Sequence, residues 1–235
     1  MLIARVSLAS FLLLPAFVHT GRAPSEPALL PAVIVSAPAT EARGIDVSHY
    51  QGRIDWRAVA GEGIGFAYVK ATEGVTFTDP AFARNWSGAA GAGIARGAYH
   101  RFRAGRDAVA QARHFLSVVT LRAGDLPPVL DVESADGVSD TRLVRGVRTW
   151  LAEVEQATGV RPIVYTKPGF RRAHLGRALD DYPLWIAEYG VDAPSVDRWH
   201  LWQHSERGRV SGIGTEVDLD RFNGSHAELR ELAAR

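Results

Sequence analysis

From residue 44 onward, short apolar runs alternate with stretches whose apolar positions recur every three to four residues. The short runs predict strands over 44–47, 65–70, 95–100, 128–132, 161–165, 183–187, 199–203 and 216–219. The 3.6-residue pattern is clearest over 139–158, where Leu143, Val147, Trp150, Leu151 and Val154 form one stripe that ends at Gly159. A second long helix is expected over 105–119, and a shorter one over 168–175. Asp55 can cap a short helix beginning at Trp56, and Asp79 followed by Pro80 reads as an N-cap with proline at the first helical position.

Helices therefore follow the first five strands only. The intervals 187–199 and 203–216 are too short for a crossover helix, which needs a dozen or more residues in all. The expected fold is α/β: a modified TIM-like barrel, (β/α)5 followed by three strands with few or no helices. An open doubly wound sheet is the competing architecture. It is disfavoured because no glycine-rich phosphate loop follows the first strand, and the glycines of GAAGAGIARG precede a strand instead.

The N-terminus breaks the pattern. One early Arg is followed by an apolar stretch from Val6 to Val18 and then by small and polar residues, the layout of a signal peptide and short for a membrane span. The expected organisation is a signal peptide over 1–23, a Pro-, Ala- and Ser-rich linker over 24–43, and a catalytic barrel domain over 44–235. Export to the periplasm or medium follows, with an uncleaved N-terminal anchor as the alternative.

Composition adds exclusions. The chain has 235 residues, 46% hydrophobic and 23% charged, enough for one sizeable core. Its formal charge of +1 is accounted for within the first 43 residues, so the remainder is neutral. A neutral body lacks the concentrated positive field that nucleic acid requires. The absence of cysteine removes disulfides, thiolate metal sites and a Cys nucleophile.

Candidate chemistry gathers at strand ends. In a barrel these converge on one face, and four carry or adjoin acids: GIDVSHYQG with Asp46, YVKATEG with Glu73, LDVES with Asp131 and Glu133, and EVDLD with Asp218 and Asp220. Residues i and i+2 of a strand point the same way, so Asp131 and Glu133 both enter the cavity while Val132 packs outward. Like charges resist simultaneous ionisation, so one acid of such a group stays protonated while its neighbour is ionised. Glycosidic bond cleavage uses that pairing. Tyr50, Tyr99, Tyr165, Trp185, Tyr189 and Trp202 flank the same ends and suit the flat apolar faces of sugar rings; Trp56, Trp86 and Trp150 read as helix packing. A metal-dependent hydrolase built from these acids with His49 and His100 is a weaker alternative, since His200 and His204 lack the acid spacing of HExxH. No GxSxG elbow supports a serine nucleophile.

In order, GIDVSHYQGRIDW, GFAYVKATEG, RGAYHRF, PPVLDVE, PIVYT, PLWIAEYG, LWQHS and VDLDRF resemble the glycoside hydrolase family 25 lysozymes, the Chalaropsis-type N,O-diacetylmuramidases, across residues 44 to 223. The resemblance implies a peptidoglycan hydrolase that cleaves the β-1,4 bond between N-acetylmuramic acid and N-acetylglucosamine with retention. It implies Glu133 as general acid/base and Asp131 as the group that polarises the substrate's N-acetyl carbonyl for attack on the anomeric carbon, with direct nucleophilic attack by Asp131 as the alternative. Asp46 and Asp218 complete the acidic cluster, and Tyr99 and Tyr165 contact substrate. Trp185, Glu188, Trp202 and Gln203 complete the expected substrate-binding set. The partner is the peptidoglycan glycan strand, with no metal or organic cofactor. No membrane insertion is expected beyond the signal segment, and the oligomeric state is left open, with a monomer as the expectation. Two positions depart from the family pattern: His204 in WQHS, and Asp220 where Asn is usual. A catalytically silent glycan-binding module on the same barrel is the alternative function.

Overall fold

The computed structural model describes residues 41–233. The expected signal peptide and all but the last three residues of the expected linker lie outside them. Nine strands form one sheet: β1 (Glu41–Val47), β2 (Phe66–Glu73), β3 (Phe77–Thr78), β4 (Ala95–Arg101), β5 (Val129–Asp131), β6 (Ile163–Thr166), β7 (Leu184–Ala187), β8 (Leu201–Gly208) and β9 (Val217–Ser225). Eight of them close a barrel in the order β1-β2-β4-β5-β6-β7-β8-β9. Every barrel pairing from β1 to β8 is parallel, and β9 runs antiparallel to both β8 and β1. The small strand β3 pairs back onto the end of β2. Strand β1 begins at Glu41, so its first three residues belong to the barrel rather than to a linker.

Helices α1 (Trp56–Gly61), α2 (Phe82–Gly91), α3 (Ala108–Val118) and α4 (Asp140–Thr158) cover the first half of the barrel. Each start has a local cause. Asp55 accepts from the amides of Arg57 and Ala58, Asp107 from Ala110, and Ser139 from Arg142. Helix α2 starts three residues after Asp79, whose carboxylate accepts from the Ala81 amide at 2.8 Å instead of capping. After β6 the expected helix is split into α5 (Pro168–Phe170) and a wider turn over Arg171–Leu175. No helix separates β7, β8 and β9, but α6 (His226–Glu231) follows β9. Its start is a reciprocal capping box, Ser225 with Glu228, a signal present in the sequence as SHAE.

Alternation along the strands sorts the core into two layers. Ile45, Val47, Val69, Leu130, Val132 and Val164 face outward to the helices, where α4 buries its predicted stripe. Phe66, Tyr68, Val129, Ile163, Tyr165, Trp185 and Leu201 fill the lumen. Glycine makes room for two of these rings. A Cβ at Gly44 would lie 2.2 Å from the Phe66 ring, and one at Gly97 would lie 2.1 Å from Tyr68. The lumen is thereby plugged from below and left open at the C-terminal ends of the parallel strands. Among the described residues, no helix is long and apolar enough to cross a membrane.

Candidate active site

The open end holds a cavity of about 210 Å³ lined by Asp46, Tyr99, Arg101, Val129, Asp131, Glu133, Tyr165, Lys167, Trp185, Tyr189, Gln203, Glu206 and Asp218. Its floor follows from register: Arg101, Asp131 and Tyr165 are adjacent across β4, β5 and β6, and Tyr165 is level with Trp185 on β7. The β5 ladder ends at Asp131, yet the chain stays extended for two more residues. The Val132 amide donates to the Tyr165 carbonyl at 2.9 Å, and Thr166 Oγ1 donates to the Val132 carbonyl at 2.8 Å. Glu133 therefore keeps the direction of Asp131, as the i, i+2 spacing requires.

Arg101 joins the two acids. Its Nη1 lies 2.8 Å from Glu133 Oε2 and 3.4 Å from Asp131 Oδ2, and Lys167 Nζ lies 3.5 Å from Glu133 Oε1. Asp131 Oδ1 is buried and has no hydrogen-bond partner. Burial first, and then the charge of Glu133, push the Asp131 carboxyl up to about 7 against the opposing pull of Arg101 and Lys70.

Asp218 reaches the site by a route opposite to the expected one. Because β9 is antiparallel, its start rather than its end lies at the cavity, where Asp218 pairs directly with Asp46. Burial and the charges of Asp218 and Asp220 hold the Asp46 carboxyl well above its ordinary range. Asp218 is pushed up to about 6 by burial and by Glu206, and a hydrogen bond from Asp46 opposes that shift. Gln203 ties the wall together: Nε2 donates to Asp46 Oδ2 at 2.5 Å, while its Oε1 accepts from Tyr165 at 2.9 Å and from Tyr189 at 2.5 Å. Asp220 sits one pleat deeper, opposite Gly44, where its Oδ1 accepts from Trp185 Nε1 at 3.2 Å.

Asp46, Tyr99, Asp131, Glu133, Tyr165, Trp185, Gln203 and Asp218 are thus brought together as expected. Glu188 and Trp202 are not among the lining residues. The Glu188 carboxylate accepts from the Ser195 amide at 2.7 Å, and its carbonyl accepts from Trp202 Nε1 at 2.7 Å, which fixes the β7–β8 connection. Trp202 precedes the inward Gln203 on the same strand, and neighbours on a strand face opposite ways. Glu73 also turns from the cavity to pair with Lys70 at 2.7 Å and with Arg103. A register shift in β2 between Lys70 and Thr72 alters the facing of the residues that follow.

The histidines do not gather either. His100 faces outward between Thr72 Oγ1 and Gln111 Oε1 at 2.7 and 3.2 Å, stacked on Trp150, and burial drives it down to about 3. His49 bonds Asp79 at 2.7 Å. Among the described residues, no three of His, Asp and Glu are grouped to hold a metal ion. Arg101, Lys167 and Glu206 were missed by the sequence reading. Arg101 had a signal, since it lies two residues after the inward Tyr99.

Comparison with known proteins agrees with this geometry. The family model for glycosyl hydrolases family 25 matches residues 45–213. The chain belongs to this family. It is similar to YegX of Escherichia coli K12, at 44% identity over 194 residues covering 80% of this chain and 71% of that protein. It is also similar to Lysozyme M1 of Streptomyces globisporus, at 38% identity over 208 residues covering 81% and 71%. Among solved structures, the bacterial lysozyme of Streptomyces coelicolor superposes with a TM-score of 0.78 at 36% identity, covering 85% of this chain and 98% of that one. The family 25 barrel places Asp46, Asp131, Glu133 and Asp218 in one cavity in this chain.

Proposed function

We propose that this family 25 hydrolase is a muramidase that cleaves the β-1,4 bond between N-acetylmuramic acid and N-acetylglucosamine in peptidoglycan, with retention. The observation that carries the reading is the pairing of buried Asp131 with half-buried Glu133, bridged by one guanidinium in a cavity walled by acids and aromatic rings. Glu133 donates a proton to the leaving glycosidic oxygen. Asp131, which lines the cavity, accepts a hydrogen bond from the acetamido N–H of the muramic acid residue on its carboxylate and holds the acetyl carbonyl behind the anomeric carbon. That carbonyl oxygen attacks as the glycosidic bond breaks, and a cyclic oxazolinium forms. Glu133, now ionised, takes a proton from water as the water opens the ring, which regenerates the Glu133 acid and gives the retained configuration.

Contact of one Arg101 nitrogen with both acids keeps them together at the cavity mouth. Retention follows in this reading from two successive displacements at the anomeric carbon, first by the acetamido oxygen and then by water. We also place the chain outside the cytoplasm, on the signal-like residues 1–23.

Purified peptidoglycan incubated with the protein should lose turbidity and release muramic acid reducing ends. Release of N-acetylglucosamine reducing ends would assign the cut to the other bond. Binding with no product would leave a silent module.

A further inference from the structure

Among the described residues only three large hydrophobic side chains are exposed, and the two aromatic ones stand together. Tyr50 is 74% and Phe77 40% exposed. His49 lies between them, with ring centroids 4.1 Å from Tyr50 and 6.0 Å from Phe77. Single exposed apolar residues are ordinary on a protein surface, but a contiguous aromatic cluster is not.

The cluster is held in place rather than left loose. His49–Gln51 form one short helical turn with a reciprocal cap, in which Ser48 Oγ accepts from the Tyr50 amide and Gln51 Oε1 accepts from the Ser48 amide. The buried Asp79 accepts from both the His49 amide and Nδ1, at 3.1 and 2.7 Å. Phe77 is fixed on β3 by pairing with Glu73, and its carbonyl bonds His114 Nε2 at 3.0 Å. A backbone fixed in this way presents the rings to a ligand with little further ordering of the chain.

Position gives the cluster its meaning. The turn follows the C-terminal end of β1 and the β2–β3 hairpin follows that of β2, so both lie on the rim that opens onto the acids. Lys70 Nζ lies 5.5 Å from the Phe77 ring centroid, and its charge acts on Asp131. We propose that His49, Tyr50 and Phe77 form an outer sugar subsite for a further pyranose ring of the glycan strand being cut, which rests on the muramidase reading. The ring's apolar C–H face stacks on the aromatic side chains. With Nδ1 bonded to Asp79, His49 Nε2 is left to meet a sugar hydroxyl.

Tyr50→Ala, Phe77→Ala and the double variant test this against long glycan strands and a tetrasaccharide of the same repeat. On the long strands the double variant should raise KM roughly three- to ten-fold, the loss expected for an aromatic stack, with kcat within about two-fold. The tetrasaccharide, which offers fewer rings beyond the scissile bond, should show a smaller rise in KM than the long strands, and Tyr50→Trp should restore KM on the long strands. An unchanged KM, or equal losses on both substrates, would overturn the subsite. Co-sedimentation with insoluble peptidoglycan reads it without turnover: the double variant should be retained less than wild type, and equal retention overturns it. A wild-type protein that releases no reducing ends would refute the muramidase reading, and co-sedimentation would still decide the platform.

Discussion

Arg101 Nη1 donates to Glu133 Oε2 at 2.8 Å across the mouth of the barrel, from a strand that meets β5 directly. The bond gives the proposed acid a fixed side-chain position and puts a positive charge against both carboxylates. Glu133→Gln keeps an oxygen to accept from Arg101 but has no proton to exchange. We expect turnover on peptidoglycan to fall about 10²- to 10⁴-fold, the usual size of a general acid–base contribution, with an unchanged thermal melt. Near-wild-type release of reducing ends would remove Glu133 from the acid role.

Arg101→Met tests the cation itself. Arg101 pulls the Asp131 carboxyl down against burial and Glu133, so its loss should raise that carboxyl further. If Asp131 works ionised, the acid limb of the kcat/KM profile should move to higher pH by about one unit. A limb that stays in place would show that Arg101 does not set the charge of the pair.

The acid cluster also links stability to pH. Asp131 at about 7 and Asp218 at about 6 both lie above their ordinary 3.8, so the folded protein holds protons that the unfolded chain has already released. The stability this gives is fully present below about pH 4 and is lost as pH rises through 6 and 7. Asp218→Asn removes one such group, so at pH 8 it should be more stable than wild type by on the order of 1 kcal/mol, after allowance for solvent screening. Thermal melts at pH 4.5 and 8 check this, and a variant with the wild-type pH slope would contradict it.

Asp220 is held well above its ordinary range by burial and by Asp218, and its Oδ1 accepts from Trp185 Nε1. Asn offers the same acceptor without a charge. At pH 7 Asp220→Asn should therefore be at least as stable as wild type in denaturant unfolding, for the reason given for Asp218, while Asp220→Leu orphans the indole N–H and should be less stable than Asp220→Asn by about 1–3 kcal/mol. Equal midpoints for the two variants would mean that the indole bond carries no stability.

Much of this arrangement can be read from local pattern. The i, i+2 spacing aims Asp131 and Glu133 together, and the stripe from Leu143 to Val154 marks the longest helix. Short intervals after β7 and β8 account for the missing helices. These are properties of adjacent residues, set by backbone geometry and side-chain periodicity. The failures share a different cause. Nearness to a strand end puts Trp202 at the cavity, yet Trp202 and Gln203 are neighbours and cannot both face inward. Glu73 follows a register shift that only pairing with β4 reveals.

The sequence alone therefore settled which residues share a strand face, where most helices start and stop, and which family's motifs run along the chain. Only the tertiary structure decided that β9 enters antiparallel with Asp218 at its start, and that Arg101 and Lys167 close on Glu133. Those outcomes depend on hydrogen-bonded partners tens of residues away, whose register local periodicity does not encode.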